Sequence, residues 1–254
     1  MLRIAPDWIQ KQSPLGAWLD GDVVAVVRLE DLGEGEGWCG GLRVAPELRR
    51  KGIGRMIMEY LMTVAKVRGI AILRDLIEED NTPSRQLARS LGFRELMMAS
   101  HLAGTFTPGQ RKVSATAAST VPDIGRLSWV RALGGYMVTT GPERFRFARA
   151  TKDRLAREVE WGTLYDLAED RGCFLLSKPV RIAWANRIVR SFAPLNGPLE
   201  DLIDAAESQT GGDGSRVDGF LPIDARALQV AEDRGWKPGE MWGMRIVLCE
   251  RSLA

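Results

Sequence analysis

The chain is poor in several kinds of residue, and each shortage removes a class of function. Its 254 residues include one histidine, His101, and three cysteines, Cys39, Cys173 and Cys249. A single imidazole excludes multi-histidine metal sites and leaves any Ser-His-Asp arrangement with one candidate, so no metal is expected. Three widely spaced thiols give neither a disulfide framework nor zinc-ligand spacing, which fits a reducing cytoplasm. No apolar run approaches the ~18 residues a membrane span requires, and no stretch resembles a secretory signal. Excess charge is also missing. With 35 Lys+Arg against 33 Asp+Glu the net charge is +2, so no global field points to a nucleic acid or a membrane surface.

What is present is globular in composition, 45% hydrophobic and 27% charged, at a length that suits one large domain or two small ones. Residues 16–46 read as three strands, "GAWL", "DVVAVVRL" and "GWCGGLRV", broken at Asp20-Gly21 and at "GEGEG" (33–37). The second loop lies between strands and does not open a helix, so it reads as a hairpin turn and not as a phosphate cradle. A helix follows, with Ile53, Ile57, Tyr60, Leu61 and Val64 on its apolar face and Gly69 as its stop. Then come a buried strand (70–77), a helix capped by Thr82 and opened by Pro83 with its exit at Gly92, and the strand "LMMASHLAG". Strands and helices in this order predict an α/β (α+β) fold with a mixed sheet.

Residues 105–127 lose periodicity and read as a linker between a first domain, 1–104, and a second, 128–254. The second is predicted to hold a helix over 152–171, strands at "CFLL" and "VRIAWANRIV", and a helix at "PLEDLIDAAES". A strand "VDGFLP", a helix capped by Asp224 and ended by Gly235, and a final strand "WGMRIVLCE" complete it. "LARSLGF" (87–93) and "VAEDRGW" (230–236) share a form: helix end, glycine, aromatic, then strand. Such an exit is common, but with the matching element order it favours a duplicated fold.

The most informative stretch is "ELRRKGIGRMI" (47–57), where Gly52 and Gly54 sit among Arg49, Arg50, Lys51 and Arg55 at a helix start. Glycine costs a helix about 1 kcal/mol relative to alanine, and clustered cations repel. An anion resolves both difficulties. A helix N-terminus offers unpaired N–H groups and the positive end of its dipole, and glycine lets an anion approach the backbone. The spacing fits neither a Walker A loop nor a dinucleotide fingerprint; it is Arg49-x-x-Gly52-x-Gly54 after a strand ending "LRVAP".

In this arrangement the chain resembles the GNAT acyltransferase superfamily, whose acyl-CoA loop is [QR]-x-x-G-x-[GA] after a strand ending V-x-P. The family's later segment, Asn and then a helix ending L-x-x-x-x-G-F, is matched by Asn81, Leu87, Gly92 and Phe93. The resemblance is specific over residues 14–100 and weak over 179–251, and it leaves little room for the family's first strand and helix before Trp8. It implies a mostly antiparallel sheet flanked by helices, a second, smaller GNAT-like unit, and acetyl-CoA as cosubstrate. Leu42, Arg43 and Val44 would pair with the pantetheine arm. The amides of Arg50, Lys51, Gly52, Ile53, Gly54 and Arg55, with Arg49, would hold the diphosphate. Asn81 and Ser84 would lie beside the thioester. The second unit has Glu200 and Asp201 where its anion loop would be, so no CoA is expected there.

The implied reaction is direct attack of a small-molecule, amino-acid or peptide amine on the thioester. The family's leaving-group tyrosine is replaced by Ala88, and its frequent strand carboxylate by Cys39 and Gly40. Ser84, Glu36 and Glu79 are the catalytic candidates, among nearby acids that also include Glu30, Asp75, Glu78 and Asp80. Because Ala88 and the missing strand acid weaken the catalytic pattern, a CoA-binding sensor without turnover stands as the alternative. A monomer or homodimer in the cytoplasm, with no nucleic-acid partner, completes the expectation.

Overall fold

A computed structural model describes residues 14–105, 113–140, 145–182, 187–210, 215–239 and 245–253. In chain order the first elements are β1 (Pro14–Leu19), β2 (Asp22–Gly33), β3 (Glu36–Val44), α1 (Ile53–Val67), β4 (Ile72–Glu78), α2 (Thr82–Ser90) and β5 (Arg94–Thr105). Next are β6 (Ala115–Ala117), α3 (Ser128–Ala132), β7 (Tyr136–Val138), β8 (Phe147–Arg149), α4 (Lys152–Glu160), β9 (Leu164–Leu167), β10 (Cys173–Leu176) and β11 (Val180–Ile182). The chain closes with β12 (Arg187–Asn196), α5 (Leu199–Thr210), β13 (Arg216–Pro222), α6 (Ala225–Asp233), β14 (Lys237–Pro238) and β15 (Arg245–Ser252). It divides into two compact units, residues 1–96 with 247–254, and residues 97–246. This differs from the sequence reading in one respect that matters: the last strand belongs with the first unit. The expected linker holds β6 and a short 3-10 turn at Ile124–Arg126, and the expected helix over 152–171 stops at Glu160 and gives way to β9.

In the first unit the strand order is β1-β2-β3-β4-β15. Both hairpin turns have positive φ at their two central residues, Asp20 (50°) and Gly21 (89°), then Glu34 (58°) and Gly35 (70°). That is the turn whose twist matches paired strands, so "GEGEG" is a hairpin loop. Helix α1 buries Ile57, Met58, Leu61, Met62 and Ala65. Of the face read in the sequence, Ile57 and Leu61 are buried and Ile53 and Val64 pack against the core, but Tyr60 is 57% exposed instead of core. These side chains meet Leu73 and Ile77 of β4, Phe93, and Val247 and Cys249 of β15 in one cluster. Asn81, not Thr82, caps α2: its Oδ1 accepts the Ser84 N–H at 3.3 Å.

The second unit orders its strands β5-β13-β12-β10-β9-β6, with β14 on β5, β11 on β12, and a separate β7–β8 ribbon. Phe174, Phe192, Leu202, Ile203 and Trp236 lie in its core cluster. Trp236 packs so closely on two strands that an added Cβ would stand 2.5 Å from it at Gly104 and 2.8 Å at Gly219. Among the described pairings each unit has one parallel pair, β3–β4 and β12–β13; the others are antiparallel.

Candidate functional site

The parallel pair of the first unit is short. β3 and β4 are in register only at Glu36↔Ile72, Gly37↔Leu73 and Trp38↔Arg74. Beyond Trp38, β3 continues to Val44 against β2 alone, while β4 continues to Glu78. The two strands therefore part as a fork whose vertex lies at Trp38 and Arg74. On β3 a bulge comes next: Gly41 and Leu42 together face Val27, and Gly41 has φ 67°. A bulge re-aims backbone groups away from the ladder, here on the edge that β4 has left. Leu42, Arg43 and Val44 lie on that edge, where an extended ligand can add as a strand does.

At the open end of the fork the chain passes through a 3-10 turn, Pro46–Leu48, into the Arg-rich loop. Arg49 Nε donates to Val44 O at 3.2 Å and so ties the loop to the strand end. Arg50 and Gly52 take left-handed backbones (φ 59° and 85°), and Gly52 is the N-cap of α1. Met56 N closes the first helical bond on Gly52 O at 3.0 Å. The N–H groups of the first turn then have no intrahelical partner and point outward with the dipole. A Cβ at Gly52 would meet nothing within 4 Å. One at Gly54 would make only ordinary contacts, 3.6 Å to Leu42 and Leu87 and 3.7 Å to Val44. Gly52 is thus explained by its backbone angle, but no neighbour among the described residues requires glycine at 54. The strand edge of β3 and helix α2 border that position.

The loop cations divide. Lys51 is exposed, whereas Arg55 is engaged by Glu59 (3.2 Å) and Ser90 (2.7 Å). The part of Arg55 open to an anion is its backbone amide. Asn81 and Ser84 open α2 at the far end of β4; the Ser84 N–H is held by the cap, in which neither the Ser84 hydroxyl nor the Asn81 NH2 group takes part.

The catalytic candidates separate more sharply. Glu36 begins β3, eight residues and about 26 Å of strand from Val44. It is 5% exposed and accepts Arg74 Nη2 at 2.7 Å, while Arg74 Nε donates to Glu250 at 2.9 Å. Glu36 therefore belongs to a buried ion triad that joins β3, β4 and β15, and it does not reach the open part of the fork. Glu79 lies just past the end of β4, where its carbonyl accepts Arg85 Nη1 at 2.7 Å. Ala88 is buried in the core, so the helix position expected to carry an acid carries none. Cys39 is fully buried, and burial, then Asp75 and Cys249, push its thiol far up, which leaves it protonated and a poor nucleophile. His101 is buried beside Asp218, with Nε2 3.3 Å from Oδ1.

Sequence reading missed two features of the fork, the bulge at Gly41 and the placement of Asp75. Its carboxylate bends back to accept the Leu76 N–H at 2.8 Å, and its Oδ1 lies 3.2 Å from where a Cβ of Gly40 would stand. The signal available for both was the Gly40-Gly41 pair inside a strand, which marks a bulge or a close approach.

The likeness to known proteins agrees with this geometry. The model of the acetyltransferase (GNAT) family matches residues 3–93. Residues 3–93 are a GNAT domain. No curated protein matches. Among solved structures, a candidate acetyltransferase of Thermoplasma acidophilum aligns with 97% of this chain and 80% of its own at 18% identity and TM-score 0.61. A GCN5-related N-acetyltransferase from Sphaerobacter thermophilus aligns with 95% of this chain and 81% of its own at 15% identity and TM-score 0.59. A tandem GNAT protein from the clavulanic acid biosynthesis pathway aligns with 95% and 82% at 13% identity and TM-score 0.55. At these identities the likeness is one of fold, and it extends past the GNAT domain over the second unit. The mixed, mostly antiparallel sheet flanked by helices is the GNAT architecture.

Proposed function

We propose that the GNAT domain transfers an acyl group, most simply acetyl, from acyl-CoA to a primary amine of a small molecule, amino acid or peptide. The observation that carries this is Gly54: a glycine that no contact among the described residues requires, at an amide-rich helix start that opens onto the edge of β3 that β4 has left. Residues Arg49 to Arg55 would receive the diphosphate, the edge Leu42–Val44 the pantetheine arm, and Asn81 with Ser84 its thioester end. The cosubstrate supplies the activated acyl group; the chain supplies alignment, which converts a bimolecular attack into a near-unimolecular one. A second reading, a CoA-binding sensor without turnover, is favoured by one observation, the buried Ala88 in place of an acid.

Acetyl-CoA should raise the Tm of the full chain, and Gly54→Glu should abolish the rise by setting a carboxylate where the diphosphate binds. An unchanged rise in the variant would overturn the loop assignment. Thiol release from acetyl-CoA with a panel of primary amines separates enzyme from sensor, since binding with no release from any amine supports the sensor.

A further inference from the structure

Direct attack requires a neutral amine, so a group near the thioester must take a proton from the ammonium that predominates at neutral pH. Glu36 is locked in the buried triad with Arg74, and Glu79 stands past the end of β4. Another carboxylate, that of Asp75, sits at the fork itself. Asp75 is the first residue of β4 beyond the last matched pair, Trp38↔Arg74, and Gly40 is the second beyond it on β3. A Cβ at Gly40 would lie 3.2 Å from Asp75 Oδ1 and 3.6 Å from Trp38 Nε1. The bare α-carbon therefore lets the carboxylate oxygen lie against β3 at the vertex. Asp75 is half-buried, and the Leu76 N–H holds its side chain in this orientation.

An acyl-CoA arm that starts at the Gly52 loop and runs along β3 past Val44 ends toward this vertex. We propose that Asp75 is the catalytic base: reaching from β4 into the space Gly40 leaves on β3, its carboxylate takes the proton from the acceptor ammonium. The neutral nitrogen then attacks the thioester carbon, the C–S bond breaks, and the departing thiolate takes the second nitrogen-borne proton. Asp75 returns its proton to water, so the products are the amide and free CoA thiol. Among the described residues the ionisable groups around Asp75 include Cys39 on β3 and Cys249 on β15, thiols that burial, then Asp75 itself, hold protonated, and on β2 Arg28, which faces Gly40 and pairs with Glu30 at 3.4 Å. Neither thiol competes for the proton. The inference rests on the acyl-CoA reading of the fork.

The test has two arms. Crystals of the full chain soaked in acetyl-CoA should place the thioester carbon within about 6 Å of Asp75 Oδ1, the reach of a direct contact or one intervening water. A thioester well beyond that distance overturns the role of Asp75 while leaving CoA binding intact; an empty fork overturns both. In turnover with an accepted amine, Asp75→Asn should keep the acetyl-CoA thermal shift and its KM but lose about 100-fold or more in kcat, with the acidic limb of the pH profile gone. Asp75→Glu should recover part of the rate. Gly40→Ala, which presses a methyl on the carboxylate without removing it, should give an intermediate loss. An unchanged pH profile in Asp75→Asn would overturn the proposal.

Discussion

The two units each contain one parallel strand pair that separates into a fork, and the forks have opposite fates. In the GNAT domain β3 and β4 part after Trp38, and the helix beyond opens with Arg49, Arg50, Lys51 and Gly52 on an open face. In the second unit β12 and β13 match at four positions, Val189↔Arg216 to Phe192↔Gly219, and then part in the same way. Here the protein fills the mouth itself. Asn196-Gly197 at the end of β12 presses on Arg171-Gly172, so that a Cβ at Gly172 would stand 2.4 Å from Asn196 O. Trp129 Nε1 donates to Gly197 O at 2.9 Å, and Arg171 pairs with Asp201 of α5 at 3.1 Å. An acidic first turn carries charge of the sign that repels a diphosphate. One topology thus gives an open edge or a packed joint, and the residues after the first strand decide which: cations and an exposed amide row, or acids and a backbone contact.

The comparison can be broken most severely at β15. This strand completes the first unit, and its Glu250 is one of two carboxylates that satisfy the buried Arg74. A chain ending at residue 244 should leave the GNAT domain without a core strand and with a half-satisfied buried guanidinium. Removing one partner of a buried pair costs about 3–5 kcal/mol before the lost apolar burial is counted. Loss of cooperative unfolding and of any acetyl-CoA thermal shift is expected; a truncated chain that still binds acetyl-CoA would show that the fork stands without β15. A smaller effect should accompany Gly197→Ala. Gly197 has φ 106°, and a Cβ there would meet Arg171 O at 2.6 Å and Gly172 Cα at 2.9 Å. A loss of about 2 kcal/mol or more is expected in thermal unfolding, with acetyl-CoA affinity unchanged because the joint is not a ligand site. A fall in that affinity equal to that from Gly54→Glu would erase the distinction between the forks.

Much of the first fork was legible because its chemistry is local. Gly52 and Gly54, the flanking cations and the strand before them are contiguous in sequence, and a helix start fixes where the amides point. The helix-glycine-aromatic echo was legible too, but it carries less than it promised. Gly92 N bonds Arg89 O and Phe93 N bonds Ala88 O, and Gly235 and Trp236 repeat both bonds on Glu232 O and Ala231 O. So do Gly69 with Ile70 and Gly162 with Thr163, which the echo did not include. Gly134 with Gly135 does the same after α3, so five of the described helices share this exit, which satisfies their last carbonyls. Duplication is better supported by the element order, strand–helix–strand–helix–strand after each fork strand, and by the two parallel pairs. What could not be read was non-local. The ion triad joins Glu36, Arg74 and Glu250 across more than two hundred residues, and nothing near any of them in sequence signals it. Tyr60 was misplaced for a related reason: Met58, Met62 and Ala65 set the buried stripe, and only the neighbours of α1 decide which of two adjoining faces is inward.

The smallest effects contrast the units through pH. In the first unit Glu95 is held by Arg85 at 3.0 and 3.1 Å and by Arg89 at 2.8 Å, and these hydrogen bonds lower its pKa to about 2. In the second unit Glu207 is pushed up to about 7 by burial, then by Asp204, although Arg234 opposes the shift. The signs are opposite. The Glu95 contribution is present above about pH 4.5, the unfolded value, and is lost as pH falls toward 2. Glu207 costs nothing below 4.5; its penalty grows as pH rises to about 7, because the unfolded chain ionises first. Both groups are partly solvated, so each is worth about 1 kcal/mol or less after screening. Glu207→Gln should therefore raise Tm by a few degrees at pH 8 and leave it unchanged at pH 4, whereas Glu95→Gln should lower it at pH 8 and flatten its acid limb. Equal shifts of Glu207→Gln at the two pH values would mean that the carboxyl is fully solvated in the folded chain.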